Sequence, residues 1–130
     1  MINNGYQQYK QQSIATMTNG EMLVLLYDEC IKRLTIAEFA LGKEDYETFG
    51  GAVKRTREII NYLSSVLDRK YEISRDLYRM YDYFMYELGR LEAGRNKEII
   101  TELKSHISEL RDAFKEADRL NASKKTQQNT

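Results

Sequence analysis

The stretch Thr18-Asn19-Gly20-Glu21-Met22-Leu23-Val24-Leu25-Leu26-Tyr27 decides the fold. A threonine followed three residues later by glutamate, just ahead of an apolar run, is a capping box. The hydroxyl accepts from the backbone three residues on, and the carboxylate reaches back. A helix starts here. The apolar run Met22 to Tyr27 then steps about 100° per residue around the axis and greases every side. A helix of an ordinary small bundle needs one apolar stripe, so this one faces a second apolar surface besides its own core.

Working outward, the first helix runs to about Leu41 and ends at Gly42. Its main arc is Met22, Leu23, Leu26, Tyr27, Cys30, Leu34, Ala37 and Leu41 at three- and four-residue spacing. Leu25, Ile36 and Phe39 gather on the opposite side among Asp28, Glu29 and Lys32, and they are the apolar excess. A second helix, about Asp45 to Leu67, puts Phe49, Ala52, Val53, Ile59, Ile60, Leu63, Val66 and Leu67 on one side. Ser74 is the expected N-cap of a third helix with core stripe Leu77, Met80, Tyr81, Phe84, Leu88 and Leu91. Tyr83 and Tyr86 fall outside that stripe. After a turn at Gly94-Arg95-Asn96, a fourth helix alternates Ile100, Leu103, Ile107, Leu110, Phe114 and Ala117.

The sequence contains no proline in 130 residues, which favours long uninterrupted helices, and the length suits one domain. The expected fold is all-α: an antiparallel up-and-down four-helix bundle over residues 18–120. A mobile N-terminal arm, 1–17, precedes it, and a disordered polar tail, 121–130, follows it. The arm carries Tyr6 and Tyr9 with Ile14. Burying these three side chains is worth roughly 4–9 kcal/mol. Ordering about ten residues at roughly 1–2 kcal/mol each offsets most or all of that. The arm therefore docks marginally and is displaceable.

Composition excludes several function classes. Twenty basic and twenty acidic residues balance without a basic cluster, so the footprint of a nucleic-acid binder is missing. No run approaches the roughly 18 apolar residues of a membrane span, and the polar start lacks the features of a signal peptide; the expectation is a cytoplasmic protein without membrane insertion. The single cysteine, Cys30, sits on an apolar face as a small core residue. With one histidine, His106, and no Glu-x-x-His or Cys-x-x-Cys, neither a zinc site nor a di-iron bundle assembles. The reading is no cofactor, no metal and no enzyme. Asp82 and Asp112 are read as buried polar partners for Tyr or Arg. Gly50-Gly51, which lacks the phosphate-loop pattern, is read as a close approach of helices.

Ten tyrosines without tryptophan fit a chain with surfaces that are packed on one side and intermittently covered on the other. Tyr6-Gln7-Gln8-Tyr9, the Thr18-Asn19-Gly20-Glu21-Met22 cap, Leu25-Leu26-Tyr27-Asp28, Asn61, Tyr81-Asp82-Tyr83 and Arg111-Asp112-Ala113-Phe114-Lys115-Glu116-Ala117 occur in an order and spacing that resemble the FliS family of flagellin-specific secretion chaperones. The family commonly has Pro where Asn19 stands and Trp where Phe114 stands; Asn still serves a cap and Phe still fills a core position. The resemblance implies a cytoplasmic export chaperone that binds the disordered C-terminal segment of flagellin and prevents its premature polymerisation. It also implies delivery to the flagellar type III export apparatus, with the export gate as a further partner. The residues it carries over for partner binding are Tyr6, Tyr9, Leu25, Leu26 and Tyr27; helical projection adds Ile36 and Phe39. The alternative reading is a homo-oligomeric structural bundle that uses the spare stripe for self-association.

Overall fold

The computed structural model describes the backbone of residues 19–128 and the side chains of residues 19–123. The arm, the threonine of the capping box, and the expectations placed on Tyr6 and Tyr9 lie outside the described residues. Within them are four helices and no strand: α1 Asn19–Gly42, α2 Tyr46–Ser65, α3 Ile73–Gly94 and α4 Lys97–Gln128. Each packs on its neighbours in chain order, and α4 returns to α1, most closely of all, to close the ring. Contacts between α1 and α4 run antiparallel: Asp28 meets Arg111 at 3.0 Å and Glu38 meets Lys104 at 4.0 Å. This is the up-and-down bundle expected from the periodicity.

The core is what the 3.6-residue pattern places inside. Tyr27, Cys30, Leu34 and Ala37 of α1 meet Phe49, Val53, Ile60 and Leu63 of α2 in one buried cluster. Tyr81, Phe84, Leu88 and Leu91 of α3 and Ile100, Leu103 and Ile107 of α4 complete it. Towards the end of α4 the stripe weakens: Leu110 and Phe114 are half-buried and Ala117 is exposed, although the alternation places it inside.

The helix ends differ from expectation in informative ways. The first turn occupies residues 43–45, and its left-handed residue is Glu44 (φ 58°), not Gly42. Asp45 then caps α2, its carboxylate accepting from the Thr48 N–H at 3.2 Å. Hydrogen bonding from Thr48, by its side chain first and by this backbone N–H second, holds the Asp45 carboxyl below its usual range. The cap is therefore present at neutral pH and lost as pH falls through the lowered value. Ser74 does not cap α3. The helix begins one residue earlier, and the buried Ser74 hydroxyl donates to the Asp68 carbonyl at 2.6 Å, tying down the connector 66–72. The second tight turn, 95–96, again places a non-glycine in the left-handed region, Arg95 (φ 54°), whose N–H donates to the Leu91 carbonyl at 2.8 Å. Its guanidinium lies 3.7 Å over the Tyr46 ring, so the two short turns at this end of the bundle are linked. From Asn121 the chain does not leave the helix: α4 continues to Gln128, because Ala, Lys and Gln are good helix formers and neither Gly nor Pro interrupts them.

Gly50 and Gly51 are not a site of close helix approach, since a Cβ at either meets no atom within 4 Å. Both sit inside α2, where glycine costs roughly 0.5–1 kcal/mol relative to alanine. Gly50→Ala and Gly51→Ala are therefore each expected to stabilise the bundle by about that amount, read as a rise in the urea midpoint. The close approach is at Gly20 instead, where any side chain would strike the carboxylate of Asp118 on α4.

Candidate partner-binding surface

The capping segment and apolar run of α1 produce a helix with two jobs. One face is core. Tyr27 is fully buried, and its hydroxyl meets that of Tyr81 on α3 at 2.5 Å, joining the two helices across the diagonal of the ring. Burial pushes both phenols up, Tyr27 most, so each stays neutral through ordinary pH. The Phe114 ring lies 5.9 Å from that of Tyr27. Asp28, the next residue, binds Arg111, which also holds Asp112 at 3.1 Å; these bonds raise the arginine's proton affinity. Segments far apart in sequence thus converge beside α1: Tyr27-Asp28, Tyr81, and Arg111 to Phe114.

The other face of α1 carries the apolar excess. Phe39 is 67 % exposed and Leu25 is 42 % exposed, with Lys43 placed 4.5 Å over the Phe39 ring. Ile36 lies between them on the same flank but is half-buried and packs on the core, so it is the floor of the stripe rather than its crest. Leu26 is likewise half-buried against the core. Tyr27 has no accessible surface in this conformation; it supports the stripe from inside and does not line it. The structure therefore brings Leu25, Ile36 and Phe39 to one side of α1 and separates Tyr27 from them. Polar clips, Asp28–Arg111 and Glu38–Lys104, hold α1 against α4. They are part-exposed pairs, each worth less than about 1 kcal/mol.

Other features resolve the inventory of reactive groups. The Cys30 thiol is buried and pushed up to about 12, chiefly by desolvation and then by Glu29, against a smaller opposing effect of Arg55. Intact protein at pH 8 is expected to resist iodoacetamide at Cys30 and to react fully in urea, as read by mass spectrometry. His106 is a core-edge ring, stacked 6.4 Å from Phe84 and edge-on to Tyr83 at 6.1 Å. Asp82 is exposed, and Asp112 is an exposed partner of Arg111, so neither is the buried acid expected. Glu87 is the buried acid: only 5 % exposed, it is held by Arg90 at 3.0 Å. Sequence reading missed it because it lies at the margin of the α3 stripe, in register with polar neighbours. Also missed were the exposed Tyr62, Tyr71, Ile73 and Tyr78 around the α2–α3 connector, and Val66, expected on the core side of α2, is exposed with them because the helix ends at Ser65. Among the described residues no group of three or more His, Cys, Asp or Glu is placed to hold a metal, and no helix is long and apolar enough to cross a membrane.

What this geometry defines is an all-α four-helix bundle whose first helix serves the core on one side and presents large apolar side chains on the other. The family model described as "Flagellar protein FliS" matches residues 2–121. The chain is 31 % identical over 116 residues to the flagellar secretion chaperone FliS of Bacillus subtilis (strain 168), covering 89 % of this chain and 87 % of that protein. A crystal structure of a bacterial flagellar chaperone superposes with a TM-score of 0.76 at 17 % identity, over 92 % of this chain and 98 % of that one, and shares the fold. The chain belongs to the FliS family.

Proposed function

We propose that this chain is a cytoplasmic flagellar secretion chaperone whose substrate is the disordered C-terminal segment of flagellin. Binding would keep that segment from polymerising early and would support delivery to the type III export apparatus, with the export gate as a further partner. The observation that carries the reading is the pairing of Leu25 and Phe39. Two large apolar side chains stand exposed on one flank of a helix otherwise committed to the core, in a chain of the FliS family. Fourteen residues of helix separate them, about 21 Å of axis, a span suited to an amphipathic helical piece of a partner lying along α1. Ile36 and Leu26 form the floor of that contact, Tyr27 backs it, and Tyr6 and Tyr9 of the arm meet the same partner or cover its place. Order gained on binding tempers the affinity and keeps the complex reversible.

Size-exclusion chromatography with light scattering tests this reading against self-association through the same stripe. A monomer that forms a one-to-one complex with a flagellin C-terminal peptide is the expected result. A tight dimer indifferent to the peptide overturns it.

A further inference from the structure

Every arginine of the chain lies among the described residues, and all but three have a partner. Six meet a carboxylate within 3.1 Å, and Arg95 lies on Tyr46. The remaining three, Arg69, Arg75 and Arg79, meet neither a carboxylate nor a ring, and all three line one cavity of about 720 Å³ between the end of α2 and the start of α3. Ser64 and Tyr78 are among its other walls. The nearby acids Asp68, Glu72 and Asp76 are not among its lining residues, and the Asp68 carboxylate faces Lys70. Exposed guanidinium groups without a protein partner, collected around one concavity, are a receptor for planar anions, since the fork of each matches a carboxylate in two-point fashion.

We propose that this cavity is a second docking site that takes a carboxylate-bearing amphipathic segment of a partner protein. Charge complementarity requires the acid, and the rim requires the apolar part: Val66, Tyr71, Ile73 and Tyr78 stand exposed around the same connector. Arginine set among tyrosine and aliphatic side chains is the composition of protein interfaces. A nucleic acid or an anionic membrane is disfavoured because the whole molecule has a formal net charge of zero and lacks the broad positive field that phosphate polymers need. The site lies between α2 and α3. The stripe of Leu25 and Phe39 lies on α1, diagonal to α3, so the two surfaces can be occupied together.

The test uses the full chain and a fluorescein-labelled synthetic 16-residue peptide with Leu at helical three- and four-residue spacing and Glu elsewhere. Fluorescence anisotropy is expected to give saturable binding, at least tenfold weaker for the same peptide with Gln in place of Glu. The Arg75→Glu/Arg79→Glu chain should lose binding by at least the same factor, Arg75→Lys/Arg79→Lys should fall between, and a charge reversal away from the cavity, Lys115→Glu on α4, should leave it unchanged. Circular dichroism checks the fold, and Arg75→Gln/Arg79→Gln replaces the reversal if that variant loses helix. No saturable binding, equal affinity for the Gln peptide, or indifference to the arginine variants overturns the proposal. So does preferential binding of a thymidine 20-mer or of phosphatidylglycerol vesicles at the same arginines.

Discussion

Phe39→Asp is expected to weaken binding of a flagellin C-terminal peptide by about 1–4 kcal/mol, a loss of roughly 5- to 1000-fold in affinity, while leaving the helical content intact. The asymmetry between binding and folding follows from position. With two thirds of its surface in solvent, Phe39 contributes little to the core, and a carboxylate there meets water in the free protein. In the complex that carboxylate would be desolvated against apolar side chains without a partner. Leu25→Asp is expected to act in the same direction. Ile36→Asp separates the roles: its side chain packs on the core, so it should lower stability as well as affinity. Isothermal titration calorimetry beside thermal unfolding measures both quantities. Unchanged affinity for both Leu25→Asp and Phe39→Asp, with the fold preserved, would remove flagellin from this stripe.

The Tyr27–Tyr81 pair carries the largest effect expected on stability. Tyr27→Ala empties a large, fully buried ring site and should cost about 3–5 kcal/mol, as other aromatic-to-alanine changes in cores do. The hydroxyls can be examined separately. Tyr27→Phe leaves the Tyr81 hydroxyl buried without its partner, at about 1–3 kcal/mol, and Tyr81→Phe does the same to Tyr27. Removing both hydroxyls leaves nothing unsatisfied, so the double variant should lie close to the parent rather than at the sum of the singles. Urea unfolding of the four proteins gives the coupling directly; simple additivity would show that the hydroxyls do not act as a pair. The pair also sets an alkaline limit. Both phenols are raised in the folded state. The stability they contribute is complete below the unfolded phenol value of about 10 and is lost as pH rises above it, a loss absent from the double phenylalanine variant.

The fold was legible in the sequence because burial of apolar side chains, the main force that drives it, follows a periodic pattern along the chain. Leu34, Ile60, Leu88 and Ile107 fall inside by spacing alone, and a chain without proline leaves helices as the natural solution. The ends of those helices were less legible. Glycine marks a left-handed turn only by preference, and Glu44 and Arg95 take that conformation here because neighbouring backbone bonds and the Arg95–Tyr46 contact hold them. The candidate stripe was legible in part. A projection at 100° per residue separates Leu25 and Phe39 from the core. It cannot register how deeply an adjacent helix sits, and so Ile36 reads as exposed when it is not. The motif around Tyr27 points to a surface, whereas its burial depends on Tyr81, a residue 54 positions away. The unpaired arginines were invisible for the same reason, since pairing in three dimensions has no signature along the chain.

The connectors divide the bundle into unlike ends. At one end the turns are three and two residues long and are joined by Arg95 on Tyr46; at the other, residues 66–72 make a seven-residue link. Phe39 stands near the end with the linked short turns, and Leu25 stands toward the other, two residues from the buried Tyr27–Tyr81 pair. In the proposed complex the two handholds therefore rest on separate footings, one on a cation over a ring between turns and the other on two hydroxyls inside the bundle. A change that weakens one footing leaves the other in place, so a partner lying along both would keep one anchor when it lost the other.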